Sequence, residues 1–125
     1  MPQHLLAADK THVPPTAKLQ TKAQIIAIYD GKPFSWSHPF TDKGSGTMDV
    51  VAATSTMSGT YDMNGKKGEW EGKITWKGDQ CCGQERAKGG KKYNPMHCQL
   101  VYLDGSTVYE VDAKTKVITS VNNPR

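Results

Sequence analysis

Residues 63–77 read MNGKKGEWEGKITWK, and the last nine of them decide the fold class. Trp70, Gly72, Ile74 and Trp76 fall on one side of an extended chain, while Glu71, Lys73, Thr75 and Lys77 fall on the other. A period of two is the signature of a strand with one buried and one wet face, which antiparallel sheets allow. The Asn64-Gly65 pair just before it is a tight-hairpin signal, because the favoured two-residue turn needs positive φ at both central positions. A partner strand is therefore expected upstream, and STMSGTYDM (55–63) supplies it.

Outward from this hairpin the same period recurs. KPFSWSH (32–38) sets Phe34 and Trp36 on one face, and GTMDVVAA (46–53) is rich in strand formers. MHCQLVYL (96–103) puts Met96, Cys98, Leu100 and Tyr102 together, Asp104-Gly105 makes the next turn, and STVYEVD (106–112) and KVITSV (116–121) complete the run. Only near the start does the period change. Leu19, Ala23, Ile26 and Tyr29 are spaced four, three and three apart, one stripe of a helix, with Thr16 after Pro14-Pro15 as N-cap and Gly31 as terminator. The expected fold is mainly β. One N-terminal amphipathic helix at about 16–29 precedes an antiparallel meander of about seven strands, closed as a barrel or strongly curled into a half-barrel. Residues 1–15 read as a flexible lead and 16–125 as a single domain.

Composition narrows the function classes. A chain of 125 residues with 36% hydrophobic residues and ten aromatics can build one core and is not disordered in character. No stretch approaches the roughly 20 apolar residues of a membrane-spanning helix. The net charge of +4 biases the surface toward anions but falls short of the charge density of a nucleic-acid binder, so nucleic acid is not expected as a partner. MPQHLLAADKTHVPPTAK (1–18) lacks the charged start and long apolar run of an intact signal peptide. It reads as the polar lead of a mature exported protein, with a cytosolic start as the competing reading. Signatures of serine hydrolases, zinc peptidases, P-loops and dinucleotide folds are absent. Glu69 and Glu71 beside Lys73 read as solvated charges on a strand, so neither enzymatic chemistry nor a cofactor is expected.

All three cysteines lie in GDQCCGQERAKGGKKYNPMHC (78–98). Carrying the alternation on from Trp76 puts Cys82 on the apolar face, where Cys98 shares a face with Leu100. Cys82–Cys98 is then the preferred bridge, with Cys81–Cys98 as the register-shifted alternative. Fifteen residues lie between Cys82 and Cys98, and closing a loop of that size stabilises by about 3 kcal/mol. A disulfide favours export. The competing reading is a soft-metal site for copper or zinc built from Cys81, Cys82, Met96, His97 and Cys98, although the spacing lacks the paired C-x2-C of zinc sites. The third cysteine is left as a free thiol or a route to a dimer. Arg86, Lys88, Lys91 and Lys92 make the intervening loop basic, which reads first as protection of a hairpin against strand-to-strand aggregation.

The segments IIAIYDGKPFSW (25–36), GTYDMNGKKGEWEGKITWKGDQCC (59–82) and CQLVYLDGSTVYEV (98–111) together resemble the small lipocalin-like, calycin-type domains of exported bacterial proteins. That resemblance implies a curled sheet around a core or small cavity, with the helix over one opening. A non-enzymatic domain binding a small ligand or a partner protein follows, with Trp36, Trp70, Trp76 and Tyr102 as candidate cavity-lining residues, working as monomer or dimer. SGTYDMNGKKGEWEGK (58–73) also resembles, in outline, the Ser- and Lys-bearing segment of periplasmic C-type lysozyme inhibitors. It would make Ser58 and Lys73 the residues entering an enzyme cleft from a protruding hairpin. The chain lacks that family's Trp-Ser-Lys-Gly-like ending.

Overall fold

The computed structural model describes residues 11–40 and 44–125. For residues 1–10, the expected lead therefore lies outside the described residues. Nine strands form one sheet: β1 (Lys18–Leu19), β2 (Phe34–Ser37), β3 (Ser45–Val51), β4 (Thr56–Met63), β5 (Lys66–Lys77), β6 (Gln80–Ala87), β7 (His97–Asp104), β8 (Thr107–Asp112) and β9 (Ile118–Pro124). Neighbours in sequence pair antiparallel from β2 to β9, and β9 pairs back onto β2, so eight strands close a barrel. Closure leaves few edges to protect. The β4–β5 turn has Asn64 and Gly65 at φ 60° and 88°, and Met63 faces Lys66 across it. Trp70, Ile74 and Trp76 belong to the core, as their alternation requires. Charged and polar side chains such as Asp49, Ser58, Glu71, Lys73 and Arg86 lie on the opposite, outward face.

The helix is shorter than its apolar stripe predicts. Helix α1 spans Lys22–Tyr29, and its N-cap is Thr21 rather than Thr16. Thr21 and Gln24 form a reciprocal capping box, Thr21 Oγ1 accepting from Gln24 N–H and Gln24 Oε1 accepting from Thr21 N–H. Residues 18–19 are instead claimed by β7, with Lys18 opposite Leu103 and Leu19 opposite Tyr102. Leu19 is accordingly 55% exposed, and the helix buries Ile25 and Tyr29. Helix α1 sits at the barrel end that holds the β3–β4, β5–β6 and β7–β8 turns. Lys22 N–H donates to Asp79, Gly31 N–H to the Val50 carbonyl, and Asp30 Oδ1 accepts from Ala52 N–H.

Glycines and aromatics shape the opposite half. The β3–β4 ladder is interrupted at Thr47 and Thr60. Their carbonyls accept indole N–H groups instead: Trp36 donates to Thr60, and Trp70 to both Thr47 and Thr60, each at 3.2 Å. Any side chain on Gly46 or Gly59 would land on the Thr60 or Thr47 carbonyl. This close backbone approach is open only to glycine, and the indoles satisfy backbone groups that would otherwise be orphaned.

Candidate functional site

Three places carry chemistry. The first is the lumen beneath α1. Tyr29 Oη donates to Glu110 Oε2 at 2.8 Å and accepts from Asn122 Nδ2 at 2.7 Å. Asn122 Nδ2 also reaches Glu110 Oε2, and Ser120 Oγ donates to Asn122 Oδ1. Tyr29 packs edge-on against Phe34 with ring centroids 5.0 Å apart. Burial pushes the Glu110 carboxyl and the Tyr29 hydroxyl above their ordinary pKa values. Beside α1 the remaining cavity, bordered by Ile25, Tyr29, Val50, Ile74, Trp76 and Cys81, holds about 20 Å³. That is room for one water, not for an organic ligand.

The second place is a polar chain lower in the lumen. His97 Nε2 lies 2.7 Å from Glu85 Oε1, Gln99 Nε2 lies 2.8 Å from His97 Nδ1, and Thr119 Oγ1 donates to Gln99 Oε1. With Gln99 Nε2 donating to Nδ1, the ring turns its Nε2–H toward Glu85. Gly83 leaves space for this carboxylate, since a side chain there would meet Glu85 Oε2. The hydrogen bond to Glu85 raises the His97 pKa, outweighing the opposing effect of burial. A raised pKa means that the pairing stabilises the fold below the unfolded histidine value and is lost as pH rises through the folded one. Glu85→Gln is expected to move the His97 ring titration, followed by NMR, back toward the ordinary value. An unchanged titration would dismiss Glu85 as its cause.

The third place is an open recess of about 380 Å³ at the rim of the α1 end. Ile28, Phe34, Leu103 and Val108 line it, with Lys32 and Arg125 at its edge. Lys32 Nζ donates to the Ala27 carbonyl, and Arg125 donates to both oxygens of Asp49.

The residues singled out in the sequence are dispersed over these places. Trp76 borders the small lumen cavity, whereas Trp36 and Trp70 spend their N–H groups on backbone carbonyls. Tyr102 does not line the lumen: it pairs with Leu19 and Tyr109 on the outer face, while Val101 and Leu103 on either side join the core. Alternation in β7 thus runs opposite to expectation, with Gln99 and Val101 inward and Cys98, Leu100 and Tyr102 outward. Ser58 and Lys73 are exposed on the same outer face but lie within the β4–β5 ladder, opposite Glu71 and Thr56, well back from the hairpin tip. Lys73 Nζ sits 4.5 Å above the Tyr93 ring, and Arg86 lies 4.3 Å from it, which pins the basic loop to the barrel wall.

Cys82 and Cys98 are directly opposed and bonded. The pairing is the preferred one, but on the other side of the sheet. The two-residue turn Gly78-Asp79 makes Lys77 face Gln80 and Trp76 face Cys81, so alternation changes parity there and Cys82 points outward. It is nonetheless only 1% exposed; the paired Val111 and Ile118 are buried too, and Ile118 N–H donates to the Thr11 carbonyl. The bond removes two thiolates from the soft-metal reading. The third, Cys81, faces the lumen, and burial pushes its thiol up to about 12. Among the described residues no group of three or more His, Cys, Asp or Glu side chains is placed to hold a metal ion.

A closed eight-stranded antiparallel barrel with a short helix at one end is consistent with a lipocalin-like architecture. No known family, no curated protein and no solved structure matches the chain.

Proposed function

We propose that this is a non-enzymatic, exported binding domain, stabilised by its disulfide, that takes a small apolar or amphipathic ligand in the recess beside α1. The recess carries the reading. At about 380 Å³ it has the size of a small-molecule site, and apolar walls with a few polar groups at the edge are the usual design of one. The lumen, at about 20 Å³, offers no such room. Support for a non-enzymatic role comes from the buried polar groups: Tyr29, Glu110, Asn122 and Ser120 bond to one another rather than toward solvent. The Cys82–Cys98 bond fits an oxidising compartment. An enzyme inhibitor working through Ser58 and Lys73 is less well supported, because a flat ladder face cannot enter a cleft.

Anilinonaphthalene sulfonate titration tests the reading. The native protein should bind the dye with enhanced fluorescence, and an alkyl alcohol should displace it. Ser106→Trp, at an exposed position on the recess rim, should weaken binding at least about tenfold while leaving the unfolding midpoint unchanged. Full binding by this variant, or none by the native protein, would rule the recess out.

A further inference from the structure

The two ends of the barrel differ in charge and in exposed apolar surface. At the end away from α1 lie the β2–β3, β4–β5, β6–β7 and β8–β9 connections. Seven exposed lysines ring it among the described residues: Lys66, Lys67, Lys88, Lys91, Lys92, Lys114 and Lys116. Among the described residues four acids stand near them, one of which, Glu71, accepts from Gly89 N–H and is paired with Arg86. Asp62 and Asp112 accept backbone N–H groups of their own turns, and Glu69 pairs with Lys88 at 3.5 Å. The α1 end is nearly neutral, with Lys18, Lys22, Lys32, Lys77 and Arg125 set against Asp30, Asp49, Asp79 and Asp104.

Three of the exposed large apolar side chains share the lysine-rich end. Phe40, Met63 and Met96 are 41%, 48% and 48% exposed. Phe40 stacks near His38, its N–H bonded to His38 Nδ1, and Met63 lies against Gly44. None of the three has a place in the core. Their connections flank the barrel mouth on different strands, so the apolar tips and the cations occupy one rim.

We propose that this rim docks on the surface of a bilayer bearing anionic headgroups, independently of the recess at the other end. Clusters of four to eight Lys or Arg are the usual footprint of attraction to acidic lipid. Apolar tips among long lysine stems fit the lipid–water boundary, where the tips enter and the ammonium groups stay with the headgroups. The unpaired cations are lysines, compact charges suited to a diffuse anionic layer, and the guanidinium of nearby Arg86 is taken up by Glu71. A protein-binding patch would instead be depleted in lysine at its centre. The charged wall above the rim limits the contact to the tips.

Co-sedimentation with vesicles tests this. The protein should bind phosphatidylcholine vesicles containing about one third phosphatidylglycerol, ignore pure phosphatidylcholine, and dissociate at high salt. Lys88→Glu/Lys91→Glu/Lys92→Glu should weaken binding at least about a hundredfold, with an unchanged circular dichroism spectrum. Phe40→Ala/Met96→Ala should weaken it several-fold, and Lys18→Glu/Lys77→Glu at the other end should leave it intact. Equal affinity for both vesicle types, no binding at low salt, or equal losses from the variants at either end would overturn the proposal. Retention on heparin without vesicle binding would also overturn it, in favour of a soluble polyanion.

Discussion

Tyr29→Ala should lower the stability of the protein by about 4 kcal/mol, in the range of buried aromatic-to-alanine replacements. Tyr29 is 3% exposed, joins α1 to β8 and β9 through Glu110 and Asn122, and packs on Phe34. Its removal empties the space under the helix and takes a partner from two buried polar groups at once. Tyr29→Phe keeps the ring and loses only the hydroxyl, so it should cost about 1–3 kcal/mol, the penalty for a buried polar group left short of a partner. Urea denaturation of both variants separates the two contributions. A loss below about 1 kcal/mol for the alanine variant would mean that α1 is held by its surface contacts alone.

Removing the disulfide is the second large effect. Cys82→Ala/Cys98→Ala should destabilise by about 3 kcal/mol, as expected for releasing a loop of this length in the unfolded chain. The position of the bond gives a second readout. β6 and β7 share only three residue pairs, Cys81–Gln99, Cys82–Cys98 and Gly83–His97, against eight between β5 and β6. Amides of these residues in β6 and β7 should therefore lose hydrogen-exchange protection first in the variant. In the native protein Cys81 should resist alkylation, because its thiol faces the core and stays protonated, and it should react once the chain is unfolded. A variant as stable as the native chain, or rapid native labelling of Cys81, would contradict this account of the seam.

How far the fold was legible depended on how local each cause was. Strand β5 and its Asn64-Gly65 turn follow from alternation and turn chemistry within fifteen residues, and both stand where expected. Alternation alone runs through the Gly78-Asp79 turn as if it were strand and hides the parity change there, which puts Cys82 on the outer face; Cys98 lies on the outer face too, so the two still meet. The helix start was readable: Thr21 and Gln24 have capping-box spacing, while Leu19 matched the helical stripe but paired with Tyr102, a contact 83 positions away that no local pattern reveals. At the candidate site, the tryptophans stood out and the glycines beneath them did not. Their signal was present, since Ser-Gly-Thr occurs twice, at 45–47 and 58–60, at the two places where the ladder opens. The Glu85–His97 pair and the recess depend on closure of the barrel and had no local signature.

The glycines also set which substitutions the chain can inherit. Backbone blocks Gly46 and Gly59, so no change elsewhere in the side chains makes room for a larger residue at either position. Gly68 is different, because what stands closest over it is the ring of Tyr61, a side chain. A descendant could exchange that pair, gaining a side chain at 68 if the one at 61 shrinks in step. Positions 46 and 59 are thus fixed individually, whereas 68 is free to change only once 61 has given up its ring.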